Sequence, residues 1–198
     1  MKKPIIAVDV DDVLVPHFQD LIDWYNHEYG TKLALTDQYS HNLDVWDATS
    51  NEQAIRRVHR FFETPEFLQA KPYAEAVQAI HTLAVVYELA VITARDTIIQ
   101  SVTQDWLDKH FTDLFKAAHF TAQFSLEAKA RSKVDVCSDI GAAFLIDDTF
   151  STCAGVAEKG MIGLLFGDYP WNEGAALTER VVRVKDWAAV LEYFDAQR

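Results

Sequence analysis

Four apolar residues, Ile5-Ile6-Ala7-Val8, run straight into Asp9, Asp11 and Asp12, and the chain then turns apolar again at Val13. A segment that is apolar without a break suits a strand covered on both faces. Ile5–Val10 is therefore expected to be a buried strand that ends in a knot of like charge. Three neighbouring carboxylates repel one another, so a cation is expected beside them.

The rest of the chain repeats that rhythm. ELAVIT (88–93), AFLI (143–146), IGLLF (162–166) and VVRV (181–184) read as strands, and AAHF (117–120) as a weak one. Between them lie stretches with apolar residues at helical spacing, such as Ala76, Val77, Ile80, Leu83 and Ala84, or Trp187, Val190, Leu191 and Phe194. Helices are also expected near 132–139 and 151–159. This alternation predicts an α/β fold, a Rossmann-like parallel sheet with helices on both faces. The stretch 17–72 breaks it. Phe18, Leu21, Ile22, Tyr25 and Tyr29 mark a helix stopped by Gly30, residues 31–50 read as a loop, and Ile55, Val58 and Phe62 mark a second helix. The expected organisation is a core of 1–16 and 73–198, with a small helical cap, 17–72, inserted after the first strand.

Ligands of open parallel sheets bind at the carboxyl ends of the strands. The first strand ends in Asp9, Asp11 and Asp12, the second in Thr93-Ala94-Arg95, and AFLI in Asp147-Asp148, with Lys133 one helix earlier. These groups suit phosphoryl transfer. Carboxylates from two strand ends can bind Mg²⁺, a hard cation that prefers oxygen. Asp9 can attack phosphorus as a nucleophile. Asp11, two residues on, can protonate the leaving oxygen and then activate water. Thr93 and Lys133 can hold the other phosphoryl oxygens. A calcium loop is excluded, because Val13 and Leu14 stand where an oxygen ligand and a glycine are needed.

Composition narrows the partners. With 30 Asp and Glu against 18 Lys and Arg, a net charge of −12, a nucleic-acid polymer or an anionic membrane is an unsuitable partner. A small phosphorylated molecule is suitable. The apolar run near the start is cut by Asp9, too early for a secretory or spanning segment. Cys137 and Cys153 lack metal or redox spacing, and reduced thiols in a cytoplasmic protein are expected.

DVDDVL, then ITAR, then Lys133 within RSKVDVC, then LIDD resemble, in order, the four motifs of the haloacid dehalogenase superfamily of phosphatases. The helical insertion is similar to the caps of the 5′(3′)-deoxyribonucleotidase group and its bacterial relatives, and LLFGDYPWN (164–172) resembles a segment of those relatives. The resemblance implies Asp9 as nucleophile and Asp11 as general acid and base. It implies Mg²⁺ on the Asp9 carboxylate, the Asp11 carbonyl and Asp148, with Asp147 acting through water. Thr93, Ala94 and Lys133 would bind phosphate. Two departures stand out: Asp12 where many relatives have Gly, and a loose third motif in which Lys129 competes with Lys133.

The expected function is a Mg²⁺-dependent phosphomonoesterase with an aspartyl-phosphate intermediate, acting on a nucleoside monophosphate. The alternatives are a phosphatase or phosphomutase for another small metabolite such as a sugar phosphate, and a receiver-like signalling module. The second fits less well, because a receiver carries its acid pair first and its phosphorylated aspartate on a central strand. For the substrate pocket the candidates are His17, Phe18, Trp46 and Arg95. Arg95 either touches substrate or pairs with a neighbouring carboxylate, and helical spacing equally suits Phe18 and Tyr25 as core. Trp24 and Tyr39 add to the aromatic content of the cap, while Asn42, Asp44 and Asp47 offer hydrogen bonds to a sugar. Asp12 is expected to be a solvated turn residue.

Overall fold

The computed structural model describes residues 3–37, 46–123, 125–126 and 129–197. Tyr39, Asn42 and Asp44, with the rest of 38–45 from the expected loop, lie outside the described residues. Strand β1 is Ile5–Val8, followed by helices α1 (Phe18–Tyr29), α2 (Asn51–Phe61) and α3 (Pro65–Leu68). Helix α4 (Ala74–Val86), β2 (Glu88–Thr93), α5 (Gln100–His110) and β3 (Phe115–Phe120) come next. The chain continues through α6 (Lys133–Ile140), β4 (Ala142–Asp147), α7 (Phe150–Glu158), β5 (Ile162–Phe166), β6 (Val181–Val184) and α8 (Trp187–Asp195).

Among the described residues the strands form one parallel sheet in the order β3-β2-β1-β4-β5-β6. The chain leaves β1 toward β2 and β3 on one side and fills the other side with β4 to β6. A crevice is expected where the order reverses, at the carboxyl ends of β1 and its neighbours. Ile6 and Val8 pack with α4, α5 and α8, and Ile5 and Ala7 with α6 and α7. Both faces of β1 are thus covered, which is why its sequence is apolar without alternation.

β1 ends two residues before the expected Val10. Asp9 still donates its amide to the Ile146 carbonyl at 3.0 Å, but Val10 already starts a tight loop whose amides at Leu14 and Val15 return to its carbonyl. The weak signal at 117–120 belongs to β3, an edge strand that is half-buried and therefore only partly apolar.

Helices α1, α2 and α3 build a separate cluster: Phe18, Leu21, Ile22, Tyr25, Phe61 and Phe67 close on one another and on Ile99 beyond β2. Gly30, at φ +66°, takes the left-handed turn that stops α1. Ser50 caps α2 by accepting from the Gln53 amide, and Thr64 with Pro65 starts α3. No described helix is long and apolar enough to cross a membrane.

Candidate active site

Three carboxylates meet where β1 and β4 end. Asp9, Asp147 and Asp148 are buried, and each offers an oxygen within 4.8 Å of the others. Lys133 is brought to them by the start of α6, which Ser132 caps by accepting from the Val134 amide. Its Nζ donates to Asp9 Oδ2 at 2.5 Å and to Asp147 Oδ2 at 2.7 Å. Lys129, its rival in the sequence, is exposed. The second oxygens of the two acids accept from the amides of Val10 (2.8 Å) and Thr149 (2.9 Å).

One lysine among three buried carboxylates leaves negative charge over. Burial pushes the Asp9 carboxyl up to about 7; Lys133 opposes the rise, while Asp147 and Asp11 add to it. Burial, Asp147 and Asp9 raise Asp148 well above the ordinary range. Burial lowers Lys133, but the surrounding acids outweigh it and hold the ammonium well above its usual value. A hard cation would discharge this site, and the donors present are the oxygens such an ion takes. The residues fit Mg²⁺.

β2 supplies the other half. Thr93, its last residue, is fully buried, and its carbonyl accepts from the Thr121 amide and hydroxyl at 2.9 and 3.0 Å. Ala94 follows at the half-buried turn. Arg95 faces Asp11. Its Nη2 donates to Asp11 Oδ1 at 2.7 Å, and Nε lies 3.1 Å from both oxygens. Burial alone would raise Asp11, but the guanidinium outweighs it, with His17 helping, and holds the carboxyl down at about 2. His17 Nδ1 is 3.4 Å from the same carboxylate, and burial lowers the imidazole below its ordinary value despite that acid. Arg95 is thus ion-paired with Asp11 in the structure.

Asp12 corrects an expectation. It is buried, not a solvated turn residue, and stands at φ +57°. Asp tolerates this left-handed conformation better than most residues. Its carboxylate accepts from the amides of His17 (3.1 Å) and Phe18 (3.2 Å), satisfying the open start of α1. Burial raises its carboxyl to about 7 against those hydrogen bonds. Two of the pocket candidates make packing contacts. Phe18 is buried edge-on to Trp171, and the half-buried Trp46 stands edge-on to Tyr25 while its carbonyl accepts from the Tyr25 hydroxyl at 2.7 Å.

Other residues at the site escaped sequence reasoning. The Tyr169 hydroxyl donates to the Asp12 carbonyl at 2.7 Å, and the Trp171 indole and Asn172 amide donate to the Asp148 carbonyl. Tyr169 and Trp171 stack with centroids 4.4 Å apart. Gly167, at φ +79°, makes that stack possible, because a Cβ there would collide with the Tyr169 ring. The signal was the LLFGDYPWN segment, whose glycine and aromatics stand close together without helical or strand periodicity. Burial raises both cysteine thiols, Cys137 to about 12, so neither is a thiolate nucleophile.

Residues 3–197 match the family described as "5′ nucleotidase, deoxy (Pyrimidine), cytosolic type C protein". The chain belongs to this family of nucleotidases. It is a haloacid dehalogenase superfamily enzyme that hydrolyses phosphoric monoesters. A curated relative is YqfW of Bacillus subtilis (strain 168), named as a candidate nucleotidase, 17% identical over 96% of this chain and 93% of its own. Solved structures share the fold. The haloacid dehalogenase-like hydrolase SP0104 of Streptococcus pneumoniae superposes with a TM-score of 0.68 at 20% identity, covering 97% of this chain and 98% of its own. The hydrolase YfnB of Bacillus subtilis, a structure bound to magnesium, gives 0.66 at 11% identity, covering 98% and 100%.

Proposed function

We propose that this nucleotidase-family enzyme is a Mg²⁺-dependent phosphomonoesterase that works through phosphorylated Asp9 and prefers nucleoside monophosphates. The observation that carries the reading is Asp9 itself, a buried carboxylate at a strand end, held by the Val10 amide and Lys133 beside two further acids. That hold fixes the carboxylate's orientation, as a nucleophile requires. Asp9 and Asp148, with the Asp11 carbonyl, would hold Mg²⁺, and Asp147, which Lys133 and the Thr149 amide engage, would act through water. Bound there, the metal supplies positive charge to the transferring phosphoryl group.

An Asp9 oxygen attacks phosphorus and the ester P–O bond breaks. The leaving oxygen takes a proton from the Asp11 carboxyl, while Thr93, Ala94 and Lys133 hold the phosphoryl oxygens. Water then attacks the phosphorylated Asp9 and gives its proton to the Asp11 carboxylate. The bond from phosphorus to Asp9 breaks, releasing phosphate and the free carboxylate. The Arg95 ion pair favours the carboxylate form of Asp11, so the first step requires it to gain a proton from solvent on loading. The approach of a phosphate dianion favours that change, because like charges nearby raise a carboxyl.

Residues 17–72 serve as the cap in this proposal, meeting the leaving group and excluding water. Trp46 and Trp171, both half-buried, and the exposed Asp47 keep surface that a base or sugar could meet. The family's name points to pyrimidine deoxynucleotides. A panel of phosphomonoesters assayed with and without Mg²⁺ tests the reading. Deoxynucleoside monophosphates should give a higher kcat/KM than sugar phosphates of equal charge, and a preference for sugar phosphates would overturn the nucleotide assignment.

A further inference from the structure

We propose that Arg95 is a positioning residue for Asp11, aiming its carboxyl group from an anchorage that α3 completes, so that docking of the helical segment and proton delivery to the leaving group are linked. The inference rests on the phosphomonoesterase reading and deepens it.

All three nitrogens and one face of the guanidinium are engaged, by three different parts of the chain. Nε and Nη2 hold Asp11, in the loop after β1. Nη1 donates to Thr103 Oγ1 at 3.1 Å, on α5. The plane lies over the Phe67 ring of α3, with Cζ 4.9 Å from the centroid. The side chain is only 7% exposed. A fork spent on a carboxylate is not held open for a phosphate. The trio of Asp9, Asp147 and Asp148 has its own cation and does not include Asp11. Among the described acids, Asp11 is therefore the one that Arg95 pairs with.

Geometry makes this more than charge compensation. A planar fork on two oxygens fixes the rotation of a carboxylate, which a lysine cannot do. The arginine is itself fixed only while Thr103 and Phe67 both flank it. Phe67 belongs to the cluster of the helical segment, packed against Phe61 and Phe62. A shift of α3 would remove one wall from Arg95 and, through it, the aim of Asp11.

The leaving group separates this role from a structural one. kcat/KM reports events up to its departure, and p-nitrophenolate departs with little need of a proton, whereas phenolate and alkoxides need one. Arg95→Met should lower kcat/KM for phenyl phosphate about tenfold more than for p-nitrophenyl phosphate, part of the ~10²–10⁴-fold that general acid catalysis supplies. Thr103→Val and Phe67→Leu should bias the two substrates the same way by a few-fold, and they carry the test if Arg95→Met does not fold. Equal losses on both substrates in all three variants would overturn the positioning role, and equal losses in Phe67→Leu alone would overturn the link to the helical segment. Wild-type protein without Mg²⁺-dependent turnover of either ester would remove the reading beneath the inference. A selectivity that stays unchanged in an active enzyme removes the inference alone.

Discussion

Lys133 and Arg95 both pair with carboxylates that follow β1, and they treat their acids differently. Lys133 stands among three buried carboxylates and leaves Asp9 pushed up to about 7 and Asp148 higher than usual. Arg95 faces one, partly exposed, and holds it at about 2. Burial acts upward on all of these acids, so the contrast comes from how many each cation serves. Lysine is a point charge that can be shared, whereas arginine is a fork that fits one partner. The first arrangement keeps a place for a further cation. The second is complete without one, and its other ties are to α3 and α5.

The comparison is broken most severely at Asp9. Asp9→Asn should reduce turnover roughly 10⁴-fold or more, as loss of a nucleophile does. Residual activity within tenfold of the wild type in a steady-state assay would remove the covalent route. Lys133→Met should lower kcat/KM about 10²–10³-fold, the scale of losing one fixed charge donor. That loss should be alike for phenyl and p-nitrophenyl phosphates, opposite to the pattern expected of Arg95→Met. If Lys133→Met also discriminates between leaving groups, the division of labour between the two cations is wrong.

Metal addition has the smallest expected effect. After EDTA, Mg²⁺ at about a hundred times its Kd should stabilise the fold by about 2.7 kcal/mol, a rise of about 5–10 °C in Tm. Asp9 has its carboxyl raised on folding, so in metal-free protein it contributes stability below about pH 4 that is lost as pH rises toward 7. The metal replaces that proton, so the Tm increment should be larger at pH 8 than at pH 6 in thermal unfolding scans. Ca²⁺ should restore activity poorly, because it takes more ligands at longer distances. Equal increments at both pH values would separate Asp9 from the metal site.

The two cations also mark where the sequence was legible. Asp9, Thr93, Asp147 and Asp148 announce themselves because each closes an apolar run, and a polar residue there has only the strand end to occupy. Lys133 needed the structure to separate it from Lys129, since only the cap at Ser132 fixes which lysine starts α6. The partner of Arg95 could be suspected but not fixed, as the pair lies 84 positions apart. Asp12 was misread because its neighbours suggest a turn, while its hydrogen bonds go to a helix five residues later. Phe18 and Trp46 illustrate a different difficulty. Aromatic side chains fill a small helical core and a base-stacking surface equally well, so the residue type alone does not tell the two uses apart.

The place of β1 in the sheet bears on how the molecule assembles. It is synthesised first, yet one of its two edges pairs with β4, with Ile5 beside Ala142, about two-thirds of the chain later. Pairing between such distant segments closes a long loop and slows folding. Until β4 leaves the ribosome, β1, β2 and β3 can form only a partial sheet with an open apolar edge at β1, the kind of edge on which another chain can pair. The strand that runs into Asp9 is therefore one in need of protection while the protein is being made.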